Sequence, residues 1–141
     1  MAISFHFHDI RLPLHNRRKL KAFLSEMLQM EGKQVAQLHY IFCRDEFLET
    51  LNRQYLQHKT LTDILTFDLS DDPAQVLAEI YISGDRVGEN AIIFKEPFSR
   101  ELHRVIFHGV LHLCGYGDHE PDEKKLMREK ENQWLNRYFD S

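Results

Sequence analysis

The chain has 141 residues, with 18 Lys and Arg against 22 Asp and Glu, a net charge of -4, two cysteines and nine histidines. That length suits one domain, 1–141, with a core large enough to need no disulfides, and 43% hydrophobic with 28% charged residues excludes disordered and collagen-like chains. No apolar run nears the roughly 20 residues of a membrane span, no basic-then-apolar leader opens the chain, and Cys43 and Cys114 are too few for a disulfide framework, so a reducing, cytoplasmic, membrane-free setting is expected.

Ile3, Phe5 and Phe7 alternate with Ser4, His6 and His8, the period of a half-buried strand with the histidines on its wetter face. Asn16 is placed to cap a helix whose apolar positions Leu20, Phe23, Leu24, Met27 and Leu28 follow the 3.6-residue period, and Gly32 stops it. Gln37 to Cys43 reads as a second strand, and Asp45 as the cap of a short helix carrying Phe47, Leu48, Leu51 and Tyr55. Asp63 to Leu69 and Val76 to Ser83 read as strands joined by Ser70-Asp71-Asp72-Pro73, which permits antiparallel pairing. Asp85 then caps a helix that Pro97 ends. Ser99 caps the next, whose apolar circumference from Leu102 to Leu113 predicts a buried central helix, and Pro121 opens a last amphipathic helix with Leu126, Met127, Trp134 and Tyr138. This order describes an α+β fold: a small mixed four-stranded sheet with about five helices on it, and a metal site at the end of the central helix.

That site is read from His108-Gly109-Val110-Leu111-His112-Leu113-Cys114-Gly115-Tyr116-Gly117-Asp118-His119. Residues four apart share a helix face, so His108 and His112 can direct two imidazoles at one ion, and Gly115 and Gly117 let the chain turn back with a third ligand, Asp118 or His119. Two neutral imidazoles in an apolar helix otherwise lack partners. Three protein ligands and one open position are the arrangement of catalytic Zn2+, one per chain here. Cys114 points to another face and reads as core. Peptidases of the HExxH type carry a general base directly after the first histidine; Gly109 offers none, which disfavours that class.

The run HGVLHLCGY followed by DH resembles the signature of the YbeY family of bacterial endoribonucleases. Thr62-Asp63-Ile64-Leu65-Thr66-Phe67 and Glu79-Ile80-Tyr81-Ile82-Ser83, running into Asp85-Arg86-Val87, resemble two further blocks of that family in the same order. The resemblance implies an α+β fold, one zinc held by three residues of the histidine motif, and trimming of the 3′ end of small-subunit (16S) ribosomal RNA together with ribosome quality control. It implies as partners ribosomal RNA and the small ribosomal subunit, and it leaves a ribosomal protein or an assembly GTPase as further candidates; a monomer is expected, though the sequence does not fix the oligomeric state.

Two departures from the family pattern bear on the site. Gly117 is an extra residue, so Asp118 stands where the family has its third histidine and His119 follows one later. Strict spacing favours Asp118 as the ligand, with His119 its competitor or a proton donor. Leu56 replaces an arginine that the family uses near the RNA; His58 or Lys59 is the neighbouring candidate for that role.

The leading expectation is a zinc-dependent, single-strand-specific endoribonuclease with His108, His112 and His119 at the chemistry. The alternative is a non-catalytic, metal-stabilised ribosome-assembly factor. Residues 1–60 hold nine basic and six acidic residues, whereas residues 61–141 hold nine and sixteen. An RNA partner therefore has to use a local patch, and Arg17, Arg18 and Lys19 of the first helix, with Arg100 and Arg104 of the central one, are the candidates.

Overall fold

In the computed structural model, which describes residues 2–56 and 62–140, four strands form one sheet. These are β1 (Ile3–Phe7), β2 (Gln34–Cys43), β3 (Ile64–Asp68) and β4 (Gln75–Ser83), in the order β1-β2-β4-β3. β1 with β2 and β2 with β4 run parallel, and β3 pairs antiparallel with β4, so the sheet is mixed as expected. Five helices complete the described residues: α1 (Arg17–Met30), α2 (Asp45–Leu51), α3 (Gly84–Ile93), α4 (Phe98–Leu113) and α5 (Pro121–Phe139). A π-helical turn, Asn52–Leu56, extends α2.

Alternation places Leu38, Tyr40 and Phe42 of β2 and Val76, Ala78, Ile80 and Ile82 of β4 on one buried face. Leu20, Leu24, Met27 and Leu28 of α1 and the apolar circumference of α4 pack against that face. On the other face α2 covers a smaller cluster of Cys43, Leu48 and Leu65. Burial pushes the Cys43 thiol up to about 12, with Asp45 and Asp85 adding to the effect, so it stays protonated and apolar in character.

α4 lies close enough to the sheet that a Cβ on Gly109 would stand 2.9 Å from Ile80 Cδ1 and 3.1 Å from Ile64 Cδ1. The position that lacks a general base is therefore one where a side chain would collide with the sheet. Tyr40 of β2 donates its hydroxyl to the Ile106 carbonyl at 2.9 Å, tying the middle of α4 to the sheet.

Several helix starts differ from the sequence expectation, and at α2 and α3 the reason is that the carboxylates of Asp45 and Asp85 are used between elements. Asn16 sits at the cap position of α1 in the left-handed region, φ 53°, with no side-chain bond to the helix. Arg44 caps α2; Asp45 is its first residue and accepts from Arg86 Nε at 3.2 Å. Asp85 accepts from the Asp45 amide at 2.9 Å, while Ser83 caps α3 by accepting from the Arg86 amide. Together these carboxylates lash α2 to α3. Ser99 lies inside α4, whose cap residue is Pro97. β2 begins at Gln34, ahead of the expected Gln37, because Gln34 and Val35 pair with Gln75 and Val76 before a bulge that breaks the alternation. Pro121 opens α5 as expected, behind a capping box formed by Glu120 and Glu123.

His103 of α4 is 3% exposed; its Nδ1–H donates to the Ser99 carbonyl at 2.7 Å, and its buried Nε2 has no hydrogen-bond partner among the described residues. Burial holds its pKa below the ordinary value of 6.5, partly opposed by the bond to Ser99. The folded chain thus keeps His103 neutral at a pH where the unfolded chain takes up a proton. His103 is therefore expected to leave stability intact above 6.5 and to erode it as pH falls below that value. Melting temperature measured against pH should show a shallower acid-side slope in His103→Phe; identical slopes would remove His103 as the source.

Candidate metal centre

α4 ends in a Schellman motif. The Tyr116 amide donates to the Leu111 carbonyl at 3.1 Å and the Gly115 amide to the His112 carbonyl at 3.0 Å, with Gly115 at φ 100°. This reversal requires the left-handed conformation that glycine adopts without strain, and it folds residues 116–119 back beside the last turn of α4. Glu123 of α5 lies against Gly117, where a Cβ would meet its carboxylate, and the same carboxylate accepts from the His119 and Glu120 amides.

The two histidines are held in the same way. His108 Nδ1 lies 2.7 Å from Glu131 Oε2, and His112 Nδ1 lies 3.3 Å from the Tyr116 carbonyl oxygen. Both partners are acceptors, so each Nδ1 carries a hydrogen, and Nε2 is the nitrogen of each ring not engaged by that bond. His108 Nε2 stands 3.2 Å from Asp118 Oδ2. Burial of His108 favours its neutral form, but the bond to Glu131 and the charges of Glu131, Asp118 and Asp63 outweigh it and raise its pKa above 6.5.

Glu131 is 5% exposed and joins the site to a buried charge network. Its Oε1 accepts from Arg104 Nη1 at 3.3 Å, and Arg104 also donates to Asn132 Oδ1 at 2.8 Å and pairs with Glu101 at 3.6 Å. Asp63, just before β3, faces the same group; burial raises its pKa, partly opposed by the charge of His108. Cys114 is half-buried against the core and does not line the cleft that holds His108 and His112, and burial together with Glu31 pushes its thiol up to about 11.

His108, His112, Asp118 and His119 all line one cleft of about 870 Å³, floored by α4 and β3. Among the described residues, no three His, Cys, Asp or Glu side chains meet in a ready metal-holding arrangement: the close pair is His108 with Asp118, and His112 stands apart from it. The donor set nonetheless fits zinc. Imidazole nitrogens whose other nitrogen is tied to a carboxylate or carbonyl are the usual zinc ligands, and the 3.2 Å between His108 Nε2 and Asp118 Oδ2 matches the roughly 3.3 Å between two donors of a tetrahedral ion.

Of the expected RNA-contacting cations, only Arg104 reaches the cleft, and its guanidinium is occupied by Glu101, Glu131 and Asn132. Arg100 donates to Asn136, Lys19 to the Tyr138 carbonyl and Arg17 to the Leu14 carbonyl; neither these nor the exposed Arg18 line the cleft. His58 and Lys59 lie outside the described residues. Sequence reasoning missed Glu131 and Asp63. The available signal for Glu131 was an acid on the apolar stripe of α5, one turn after Met127 and one turn before Leu135.

Residues 3–139 match the family described as endoribonuclease YbeY. Among curated relatives, the endoribonuclease YbeY of Parabacteroides distasonis is 41% identical over 96% of this chain and 94% of its own. That of Flavobacterium psychrophilum is 43% identical over 94% of each. Among solved structures, the solution structure of TM1509 from Thermotoga maritima superposes with a TM-score of 0.65 at 29% identity, covering 97% of this chain and 89% of that one.

Proposed function

Because the chain belongs to the endoribonuclease YbeY family, and is on that ground a hydrolase acting on RNA, we propose that it is a zinc-dependent, single-strand-specific enzyme. Its proposed work is maturation of the 3′ end of small-subunit ribosomal RNA and ribosome quality control, carried out in the cytoplasm on the small ribosomal subunit. The observation that carries the metal reading is the pair of engaged Nδ1 atoms, which leaves both Nε2 atoms for a ligand. His108, His112 and Asp118 would hold the ion, and zinc bound there supplies Lewis acidity toward a phosphoryl oxygen and a lowered pKa for water. Glu131 keeps His108 in one tautomer and one orientation. His119, exposed in the same cleft, would give a proton to the departing oxygen, which is the 5′ oxygen if the ribose hydroxyl attacks and the 3′ oxygen if water attacks to leave a 3′-hydroxyl. Membership of a family of endoribonucleases decides against the purely structural assembly-factor reading.

The test is cleavage of a small-subunit ribosomal RNA precursor by protein first stripped with chelator and then given one equivalent of zinc. Activity is expected only after zinc, on single-stranded and not on duplex substrate. Equal activity of stripped protein would end the zinc reading, and equal cutting of duplex would end the strand preference. Product termini identify the nucleophile: a 2′,3′-cyclic phosphate requires attack by the ribose hydroxyl, and a 3′-hydroxyl requires water.

A further inference from the structure

Phe94 stands at the C-terminal cap of α3, on the wall of the cleft that also holds His108 and Asp118. It is 54% exposed, and the two residues before it, Ile92 and Ile93, are 81% and 67% exposed. Three successive large apolar side chains outside the core of a folded domain mark a surface that meets something apolar. The backbone that carries the ring is held in place. The Phe94 amide donates to the Asn90 carbonyl and the Glu96 amide to the Ala91 carbonyl, each at 2.9 Å, while Lys95 turns the chain at φ 56°, a conformation unfavourable for lysine.

The same cleft has a cationic lip from a different element. Lys124 and Arg128, one turn apart on α5, both line it. Arg128 is 52% exposed at its side chain, and the acid it approaches, Glu131 Oε1 at 3.8 Å, already accepts from Arg104 at 3.3 Å. Its guanidinium is thus available to an anion. An exposed flat ring and two cations along one cleft match the two halves of a nucleotide, a base with a π face and a backbone phosphate.

We propose that this cleft contains a nucleotide subsite for single-stranded RNA, in which a nucleobase stacks on Phe94 while the adjoining phosphate is held by Lys124 and Arg128. In a duplex the base faces are already stacked, so the subsite selects unpaired RNA by access to the base and not by its sequence. This rests on the endoribonuclease reading and deepens it. It also gives the acidic chain its local cationic patch, in a different place from the first helix.

The test measures fluorescence anisotropy of a labelled single-stranded 2′-O-methyl oligonucleotide, in chelator, with wild type, Phe94→Leu, Phe94→Trp and Arg128→Ala. Phe94→Leu is expected to bind about tenfold more weakly and Phe94→Trp to bind like wild type. Arg128→Ala should lower the dependence of affinity on salt by about one unit of slope. A 2-aminopurine base in the oligonucleotide should be quenched by wild type and not by Phe94→Leu. Phe94→Leu that binds and quenches like wild type would overturn the subsite and turn the apolar patch into a protein-facing surface. Parallel cleavage with zinc separates the two claims: a wild type that cuts no RNA sinks the enzyme reading, while binding and quenching still decide the subsite. Melting curves check folding, which an exposed Phe94 is expected to leave unchanged.

Discussion

His112→Ala is expected to purify without stoichiometric zinc and to lose single-strand cleavage by more than the roughly 100-fold that follows loss of a hydrogen bond behind a metal ligand. His112 is exposed at the end of α4, and its ring is held by one bond from Nδ1 to the Tyr116 carbonyl. Its removal opens no core cavity, so the melting temperature of the metal-free protein should move little. Metal analysis, initial rates and thermal melts are read on the same preparation. A variant that still carries one zinc and cuts at the wild-type rate would remove His112 from the centre. The same measurements separate the two neighbours: Asp118→Ala should lose zinc, whereas His119→Ala should keep it and lose rate, as a proton donor would. The reverse pattern would exchange their roles.

Glu131→Ala is expected to have the largest effect on stability of any single change around the cleft. One carboxylate serves both His108 Nδ1, at 2.7 Å, and Arg104 Nη1, at 3.3 Å, and Arg104 is 9% exposed. Deleting it leaves a buried guanidinium short of its counter-charge, which costs about 3–5 kcal/mol and lowers the melting temperature by about 10 °C. It also frees the His108 ring, so zinc affinity should fall roughly 10–100-fold. Glu131→Gln keeps the shape and one acceptor oxygen, and should lose less stability than Glu131→Ala. The checks are thermal unfolding of metal-free protein and competitive zinc titration of each variant. If Glu131→Ala melts with wild type, Arg104 has other compensation and the network does not hold α4 to α5.

Much of this was legible in the residues because it is local. The i, i+4 pair His108 and His112, the glycine at 115 that a left-handed reversal needs, and the 3.6-residue and two-residue apolar periods are all settled by neighbours in sequence. Helix caps were less legible. Asp45 and Asp85 are good capping residues by type, yet their carboxylates are spent on Arg86 and on the Asp45 amide and Arg44, partners set by how the helices pack. The start of β2 was hidden by the bulge between Val35 and Gln37, which interrupts alternation while pairing continues.

The chain by itself thus determined the fold class, the family and the placing of two histidines on one face of α4, since periodicity, spacing and motif are properties of short segments. Only the tertiary structure decided what stands behind and around them. Glu131 reaches His108 from 23 positions away, because α5 folds back along α4. Gly109 faces Ile80 and Ile64 because the sheet lies directly beneath it. Phe94, Lys124 and Arg128 share the cleft with Asp118 because α3, α5 and the turn after α4 converge on it. Contacts between segments distant in sequence depend on sheet order and helix packing, and no local pattern encodes which carboxylate will meet which imidazole.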